Sequence, residues 1–274
     1  MRSRRTVLGM PKYTHGHAES VLRSHRSRTA QNSAAYLLPH LKPGHQVLDV
    51  GSGPGTITVD LAELVAPGRV TATEINPDAA AITRAEAERR GVPNVDPVVA
   101  DVHELQFETD SFDVVHAHQV LQHVADPVQA LREMIRVCRP GGVVAVRDSD
   151  YGGFVWYPQL PALDHWLELY YAAARANGGE PDAGRRLLAW ARAAGAENVT
   201  VSSATWCHAD PDARAGWGGM WADRIVNSAI TQQLLTSGLA TEDDLKSISS
   251  AWSEWAAHPD GWISILHGEV LIHV

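Results

Sequence analysis

The chain is poor in the features that mark disulfide-bonded, membrane-spanning or nucleic-acid-binding proteins. Its 274 residues include two cysteines, Cys138 and Cys207, which supply no disulfide framework and are typical of a reducing compartment. No apolar run reaches the roughly 20 residues that a transmembrane helix requires. The formal net charge of −9 disfavours nucleic acid, whose phosphates need a basic face. We therefore expect a cytoplasmic protein without a membrane span or a nucleic-acid partner.

Residues that could hold a metal ion are also sparse. His116 and His118 lie at i and i+2 on one face of a predicted strand, and His123 follows shortly after. No cysteine or carboxylate joins these histidines at ligand spacing, so the sequence predicts no metal site.

What the chain does have is a glycine-rich turn between a buried strand and a helix. The strand carries Asp49 near its end, glycine follows at positions 51, 53 and 55, and a helix begins after the turn. Glycine lets backbone approach a ligand closely and accepts positive φ, and a helix start offers unpaired N–H groups. Open α/β sheets bind ligands at the carboxyl ends of their strands, so this turn predicts a small-molecule cradle.

The spacing of the glycines favours one kind of ligand over another. A dinucleotide fingerprint, G-x-G-x-x-G, requires glycine where Thr56 stands, and here the third glycine comes one residue early, at Gly55. Asp49 would repel a pyrophosphate but suits a cationic ligand.

The alternation of strands and helices predicts a doubly wound, mostly parallel α/β sheet of seven strands. Predicted strands cover residues 46–50, 69–74, 95–100, 112–118, 143–147, 199–206 and 262–274. Predicted helices cover residues 19–38, 79–90, 126–137, 160–174, 184–194, 212–235 and 241–257, with one more between the glycine turn and residue 66.

The run Val-Leu-Asp-Val-Gly-Ser-Gly-Pro-Gly at 47–55 resembles motif I of class I S-adenosylmethionine (SAM) methyltransferases. Residues 112–127, and 131–142 with their Cys-Arg-Pro-Gly-Gly ending, are similar to the ubiquinone/menaquinone-methyltransferase-like (type 11) branch. The resemblance covers roughly residues 43–150. It implies a Rossmann-like core at 41–150, an N-terminal arm or lid helix at 1–40, and helical cap insertions with the final strands at 151–274.

The resemblance also implies SAM as the cofactor and assigns residues to it. Glu74, at the end of the second strand, corresponds to the family's acid for the ribose hydroxyls, and Ile75 would flank the adenine. Asp101 corresponds to an acid for the adenine amino group. The full set of cofactor residues is Asp49, Gly51, Ser52, Gly53, Gly55, Thr56, Glu74, Ile75, Asp101, Val102, His118 and Gln119.

Methyl transfer is an in-line displacement, so alignment of the nucleophile, methyl and sulfur is the protein's main task. Many acceptors also need a base, because a proton must leave the nucleophile. The candidates for catalysis are His118, His123, Asp148 and Tyr13.

The aromatic residues after position 150 suggest the acceptor. They include Trp156, Tyr157, Trp166, Tyr170, Tyr171, Trp217 and Trp221. Because ligand pockets are mostly apolar, we expect a small aromatic or apolar metabolite, methylated on oxygen, nitrogen or carbon. Two alternatives stay open: a SAM-fold cyclase or isomerase without methyl transfer, and a non-catalytic SAM-binding regulatory subunit. The sequence also leaves homo-oligomerisation open.

Overall fold

Eight strands form one sheet in residues 27–274, the part of the chain that the computed structural model describes. They are β1 (Gln46–Val50), β2 (Arg69–Glu74), β3 (Val95–Val99), β4 (Phe112–His118), β5 (Cys138–Ser149), β6 (Val155–Tyr157), β7 (Val199–His208) and β8 (Trp262–His273). Their order is β3-β2-β1-β4-β5-β8-β6, and β7 also pairs with β8. β1 to β5 run parallel, whereas β8 is antiparallel to β5, β6 and β7. The predicted doubly wound, mostly parallel α/β fold is confirmed.

The helices in this part of the chain flank the sheet and then build a cap. They are α1 (Ala30–Ser33), α2 (Thr56–Val65), α3 (Pro77–Arg90), α4 (Pro127–Val137), α5 (Pro161–Ala176), α6 (Ala183–Ala193), α7 (Pro211–Asn227), α8 (Ala229–Thr236) and α9 (Glu242–Ala257). Short 3₁₀ turns lie at Leu38–His40, Leu121–His123 and Tyr151–Gly153.

Both faces of the sheet are buried, because alternate strand residues point to opposite sides. On one face, Leu48 packs in a cluster with residues of α4 and α6. On the other face, Val47 packs with residues of α2. β4 is buried along all seven of its residues, which places its carboxyl end in the middle of the molecule.

A third apolar cluster joins the cap helices. Trp166 of α5 contacts Trp221 of α7 and Trp252 of α9 edge-on, with ring centroids 4.6 and 5.0 Å apart. Trp156, Trp166 and Tyr170 therefore belong to this core. The division of the chain into an arm, a core and a cap stays a prediction.

Two predicted helices are interrupted. Within the described residues, the helix expected at 19–38 is reduced to α1 and a 3₁₀ turn, because Ala34 has φ −137° and ψ 22° and ends α1; residues 19–26 lie outside the described part. The helix expected at 212–235 breaks at Ser228, whose extended backbone (φ −131°, ψ −175°) separates α7 from α8. The Thr231 hydroxyl accepts the Ser228 N–H at 3.0 Å, which begins the new helix.

The strand prediction missed β6 and the full length of β5. β6 is three residues long and pairs Val155 to Tyr157 with Ser264 to Trp262 of β8. Val155 and Tyr157 are exposed, so the segment has the alternating pattern of a strand but too few residues to be separated from a loop by sequence alone.

Two glycines allow α6 to pack directly against β8, and they provide a test of this contact. A Cβ at Gly268 would collide with the backbone of Gly184, whereas a Cβ at Gly216 in α7 would meet nothing within 4 Å. We expect Gly268→Ala to lower the free energy of unfolding by about 1–3 kcal/mol through overpacking. Gly216→Ala is the matched control and should raise it by about 0.5–1 kcal/mol. Urea titration of both variants measures the difference, and equal midpoints would contradict the packing argument.

Candidate active site

A cavity of about 480 Å³ lies at the carboxyl ends of β1, β2 and β4 and just beyond β3. All the predicted cofactor residues line it except Gly55, and His123 lines it as well. Asp148 does not, and Tyr13 lies outside the described residues. The part of the chain that follows β5 contributes an aromatic part of the wall, formed by Tyr151, Phe154, Trp206, Trp217 and Trp221.

The glycine turn has a shape that side chains would prevent. Gly51 and Gly53 have φ of 69° and 56°. A Cβ at Gly51 would lie 2.5 Å from Val120 Cγ2, whereas Gly53 has no atom within 4 Å of a built Cβ and so has open space beside it. The Gly53 N–H donates to Glu74 Oε1 at 2.5 Å, which ties the turn to the end of β2.

Gly55 supports the turn from behind. It precedes α2 with φ 83°, and a Cβ there would come within 3.0 Å of Thr83 Cα in α3. The Thr83 hydroxyl donates to the Gly53 carbonyl at 2.9 Å and accepts from the Ser52 hydroxyl at 2.8 Å. Gly55 is therefore needed for the close approach of α3 rather than for a surface of the cavity.

Asp49 is held by protein donors at both carboxylate oxygens. Thr58 Oγ1 donates to Oδ2 at 2.5 Å, and His116 Nδ1 lies 2.7 Å from Oδ1. Asp49 is only 3% exposed, so the pair with His116 is almost fully desolvated. The role toward a cationic ligand that the sequence predicts for Asp49 stays a prediction: Asp49 lines the cavity, and its carboxylate oxygens contact Thr58 and His116.

The side chains at the ends of β2 and β3 differ in exposure and partners. Ile75 is 55% exposed, which is unusual for a large apolar side chain and leaves it available to a ligand in the cavity. Asp101 accepts hydrogen bonds from the His103 backbone N–H at 2.9 Å and contacts His103 Nδ1 at 2.6 Å. The carboxylate of Asp101 is thereby oriented at the cavity rim.

His118 and His123 are neutral imidazoles in the cavity wall. Burial, reinforced by Arg28 and Arg147, holds the pKa of His118 well below its ordinary value. Burial and then Arg28 lower the pKa of His123 to about 3. Neither nitrogen of His118 has a hydrogen-bond partner among residues 27–274. Such weak bases are better suited to accepting a hydrogen bond than to holding a proton.

Asp148 is a structural group in this arrangement. It is fully buried, and its Oδ1 accepts the Gln122 backbone N–H at 3.1 Å. Burial raises its pKa to about 8 even though hydrogen bonds from the Gln122 and Leu121 backbone oppose that shift. Asp148 thus fastens the Leu121–His123 turn to β5, and the structure does not bring it to the cavity as the sequence interpretation expected.

Sequence reasoning missed a chain of polar contacts beside His118. Arg28 Nη2 donates to Gln119 Oε1 at 2.8 Å, and Gln119 Nε2 lies 2.9 Å from His267 Nε2. His267 Nδ1 lies 3.0 Å from the Ile265 carbonyl oxygen, so it is the protonated nitrogen. Gln119 has φ 55°, a rare conformation for a residue other than glycine. No local spacing signals these partners, because they lie 91 and 148 residues apart.

Two kinds of feature were not found in the described residues. No group of three or more His, Cys, Asp and Glu side chains between residues 27 and 274 could hold a metal ion. Over the same range, no helix is both long and apolar enough to cross a membrane.

Comparison with known proteins assigns the family. Residues 41–209 match the methyltransferase domain family. The chain is 32% identical to an uncharacterized methyltransferase of Schizosaccharomyces pombe, over 94% of this chain and 95% of that protein. The chain therefore belongs to the class I SAM-dependent methyltransferase family, and its cofactor is SAM.

Shorter and more distant matches agree with this assignment. The ubiquinone/menaquinone biosynthesis C-methyltransferase of Bdellovibrio bacteriovorus is 39% identical over 105 residues, which cover 38% of this chain and 44% of that protein. The crystal structure of the YcgJ protein from Bacillus subtilis superposes with a TM-score of 0.57 at 18% identity, over 88% of this chain and 98% of that one. The latter likeness concerns the fold alone.

The raised pKa of Asp148 predicts a pH dependence of stability. Between pH 5 and 7 the folded state holds a proton on Asp148 that the unfolded chain has released, so this group makes the free energy of unfolding fall as pH rises. In Asp148→Asn that contribution is absent. The stability of the variant relative to wild type should therefore increase with pH, by up to about 1.4 kcal/mol per pH unit.

Urea unfolding at pH 5, 6 and 7 measures this difference. Asp243→Asn, which removes an exposed carboxyl, is the control and should leave the slope unchanged. A constant difference between Asp148→Asn and wild type across the range would contradict the assignment.

Proposed function

We propose that this methyltransferase acts on a small aromatic or apolar metabolite, bound beside the cofactor in the 480 Å³ cavity. The observation that carries the proposal is that one cavity has both the glycine turn and the aromatic wall of Tyr151, Phe154, Trp206, Trp217 and Trp221. Ligand pockets combine such apolar surface with a few polar groups. The polar groups at this end include His118 and Ser149.

The strand-end side of the cavity fits the cofactor. Gly53 leaves open space beside the turn, the Glu74 carboxylate is positioned there by the Gly53 N–H, and Ile75 offers apolar surface. We assign Glu74 to the ribose hydroxyls, and Ile75, Asp101 and Val102 to the adenine. When bound, SAM supplies an electrophilic methyl group on its sulfonium.

The residues at the aromatic side of the cavity align the acceptor. The His118 ring lies 5.7 Å from the Trp206 ring, centroid to centroid, at the end of the central strand β4. A neutral His118 accepts a hydrogen bond from an acceptor hydroxyl or amine and so orients its lone pair toward the methyl group. His123 is the second imidazole available for this task. Tyr13 stays a candidate outside the described residues, and homo-oligomerisation stays a prediction.

A charge-removing variant at Glu74 tests the cofactor assignment. In Glu74→Gln an oxygen remains to accept the Gly53 N–H, but the hydrogen bonds to the ribose lose their charge. We expect the dissociation constant for S-adenosylhomocysteine to rise by about 10- to 100-fold, since a hydrogen bond to a charged group contributes about 1.5–3 kcal/mol. Calorimetry measures this dissociation constant. Glu88→Gln is the control, because Glu88 is an exposed residue of α3. Equal affinity of both variants for S-adenosylhomocysteine would contradict the assignment of Glu74 to the cofactor.

A variant of the aromatic wall tests the acceptor. Trp217 lines the cavity and stacks on His208 at 5.0 Å between ring centroids. We expect Trp217→Leu to raise KM for the acceptor at least about fivefold, with unchanged S-adenosylhomocysteine affinity, because about 1 kcal/mol or more of apolar and aromatic contact is lost. Trp262→Leu is the control, because Trp262 is 39% exposed and does not line the cavity.

A screen with methyl-labelled SAM can identify the methyl acceptor. It compares small aromatic metabolites with matched sugar-like compounds. The product is expected to gain one methyl group by mass. A product of unchanged mass would favour the cyclase or isomerase alternative, and label transferred only to the polar compounds would contradict the aromatic acceptor.

A further inference from the structure

Within residues 27–274, the buried pair of Asp49 and His116 leaves one hydrogen-bonding position without a partner. The two residues are direct partners in the register of β1 and β4, so their side chains emerge side by side. His116 Nδ1 lies 2.7 Å from Asp49 Oδ1, and the other carboxylate oxygen is occupied by Thr58. His116 is 1% exposed.

The pair fixes which nitrogen of His116 carries the proton. An ionised carboxylate only accepts hydrogen bonds, so Nδ1 is the donor toward Asp49. In the neutral ring Nε2 then presents a lone pair. Nε2 is buried and has no hydrogen-bond partner among residues 27–274, although both residues line the cavity. Buried polar atoms are nearly always hydrogen-bonded, so this position needs a partner, and a ligand in the cavity that His116 lines can supply one.

The order of the strands indicates which part of a ligand reaches His116. Asp101 follows β3 and Glu74 ends β2, and these strands lie on one side of β1, whereas β4 lies on the other side. With the adenosine held by Glu74 and Asp101, as in the proposed function, the cofactor crosses the glycine turn. Its amino-acid portion then extends toward β1 and β4.

We propose that His116 Nε2 accepts an N–H of the cofactor's α-ammonium group, and that Asp49 acts on the cofactor through the His116 ring. This inference rests on the proposed function, which places the adenosine. The negative charge of Asp49 on the Nδ1 side of the imidazole favours the binding of a cation on the Nε2 side. His116 is thus a binding residue and Asp49 a positioning residue.

Two ligands that differ only in the amino-acid portion test the proposal. S-adenosylhomocysteine carries the ammonium group, whereas 5′-methylthioadenosine keeps the adenosine and thioether but lacks the amino acid. His116→Asn is the informative variant, because its amide N–H takes the place of Nδ1 and still serves Asp49, while nothing replaces Nε2. We expect the variant to bind S-adenosylhomocysteine about 10- to 100-fold more weakly and 5′-methylthioadenosine within about twofold of wild type.

The control is His165→Asn on α5, where the histidine is 42% exposed, and it should bind both ligands as wild type does. A second measurement needs no variant at this site. In the wild-type protein with ¹⁵N-labelled histidine, the Nε2 resonance of His116 should shift on addition of S-adenosylhomocysteine and stay in place with 5′-methylthioadenosine. This readout decides the question even where His116→Asn is unstable.

The outcomes separate this inference from the function on which it rests. If the wild-type protein binds neither ligand, the placement of the cofactor is wrong and both proposals fall. If it binds both and His116→Asn keeps the preference for S-adenosylhomocysteine, the role of His116 is wrong and the proposed function stands. Equal weakening of both ligands, or an Nε2 resonance that responds to neither, would show that the pair only supports the fold and would overturn the inference.

Discussion

The site depends on how closely the backbone of the glycine turn approaches its neighbours. Gly51 lies against Val120, and Gly55 lies against the backbone of α3, so neither position has room for a side chain. Between them, Gly53 is tied to Glu74 by its N–H and to Thr83 by its carbonyl. The turn is therefore rigid on the protein side and open on the cavity side, which is the arrangement that a ligand held by backbone requires.

Buried polar groups position the rest of the cavity wall. Asp49 fixes the orientation of His116, Asp148 fixes the Leu121–His123 turn, and Gln119 links Arg28 to His267. Each contact joins segments that are distant in sequence. Because an unpaired buried polar group is costly, such networks specify one arrangement of the wall over others.

Local signals in the sequence account for most of the fold and for the position of the glycine turn. The apolar runs of β1, β2 and β4 and the glycine spacing are properties of short segments, and their predicted bounds agree with the structure. The break at Ser228 and the strand β6 depend on tertiary contacts, so periodicity could not reveal them.

The roles of the site residues likewise depend on contacts that local sequence does not reveal. Asp148 follows a predicted strand, as a catalytic base could, but its surroundings bury it completely. The partner of Asp49 lies 67 residues away, and only the strand order brings His116 to it. The type and spacing of a residue thus predict that it lies near the site, whereas its burial and its hydrogen-bond partners determine its role.

The position of β8 in the sheet has a consequence for how the chain reaches this structure. β8 follows every other strand in the chain, yet it pairs with β5, β6 and β7 and alone connects β6 and β7 to the rest of the sheet within the described residues. During synthesis, β5 has one unpaired edge, and β6 and β7 have no partner in the sheet, until residues 262–273 leave the ribosome. Closure of the sheet is therefore a late, non-local event, and a nascent chain that pauses before Trp262 exposes strand edges open to aggregation.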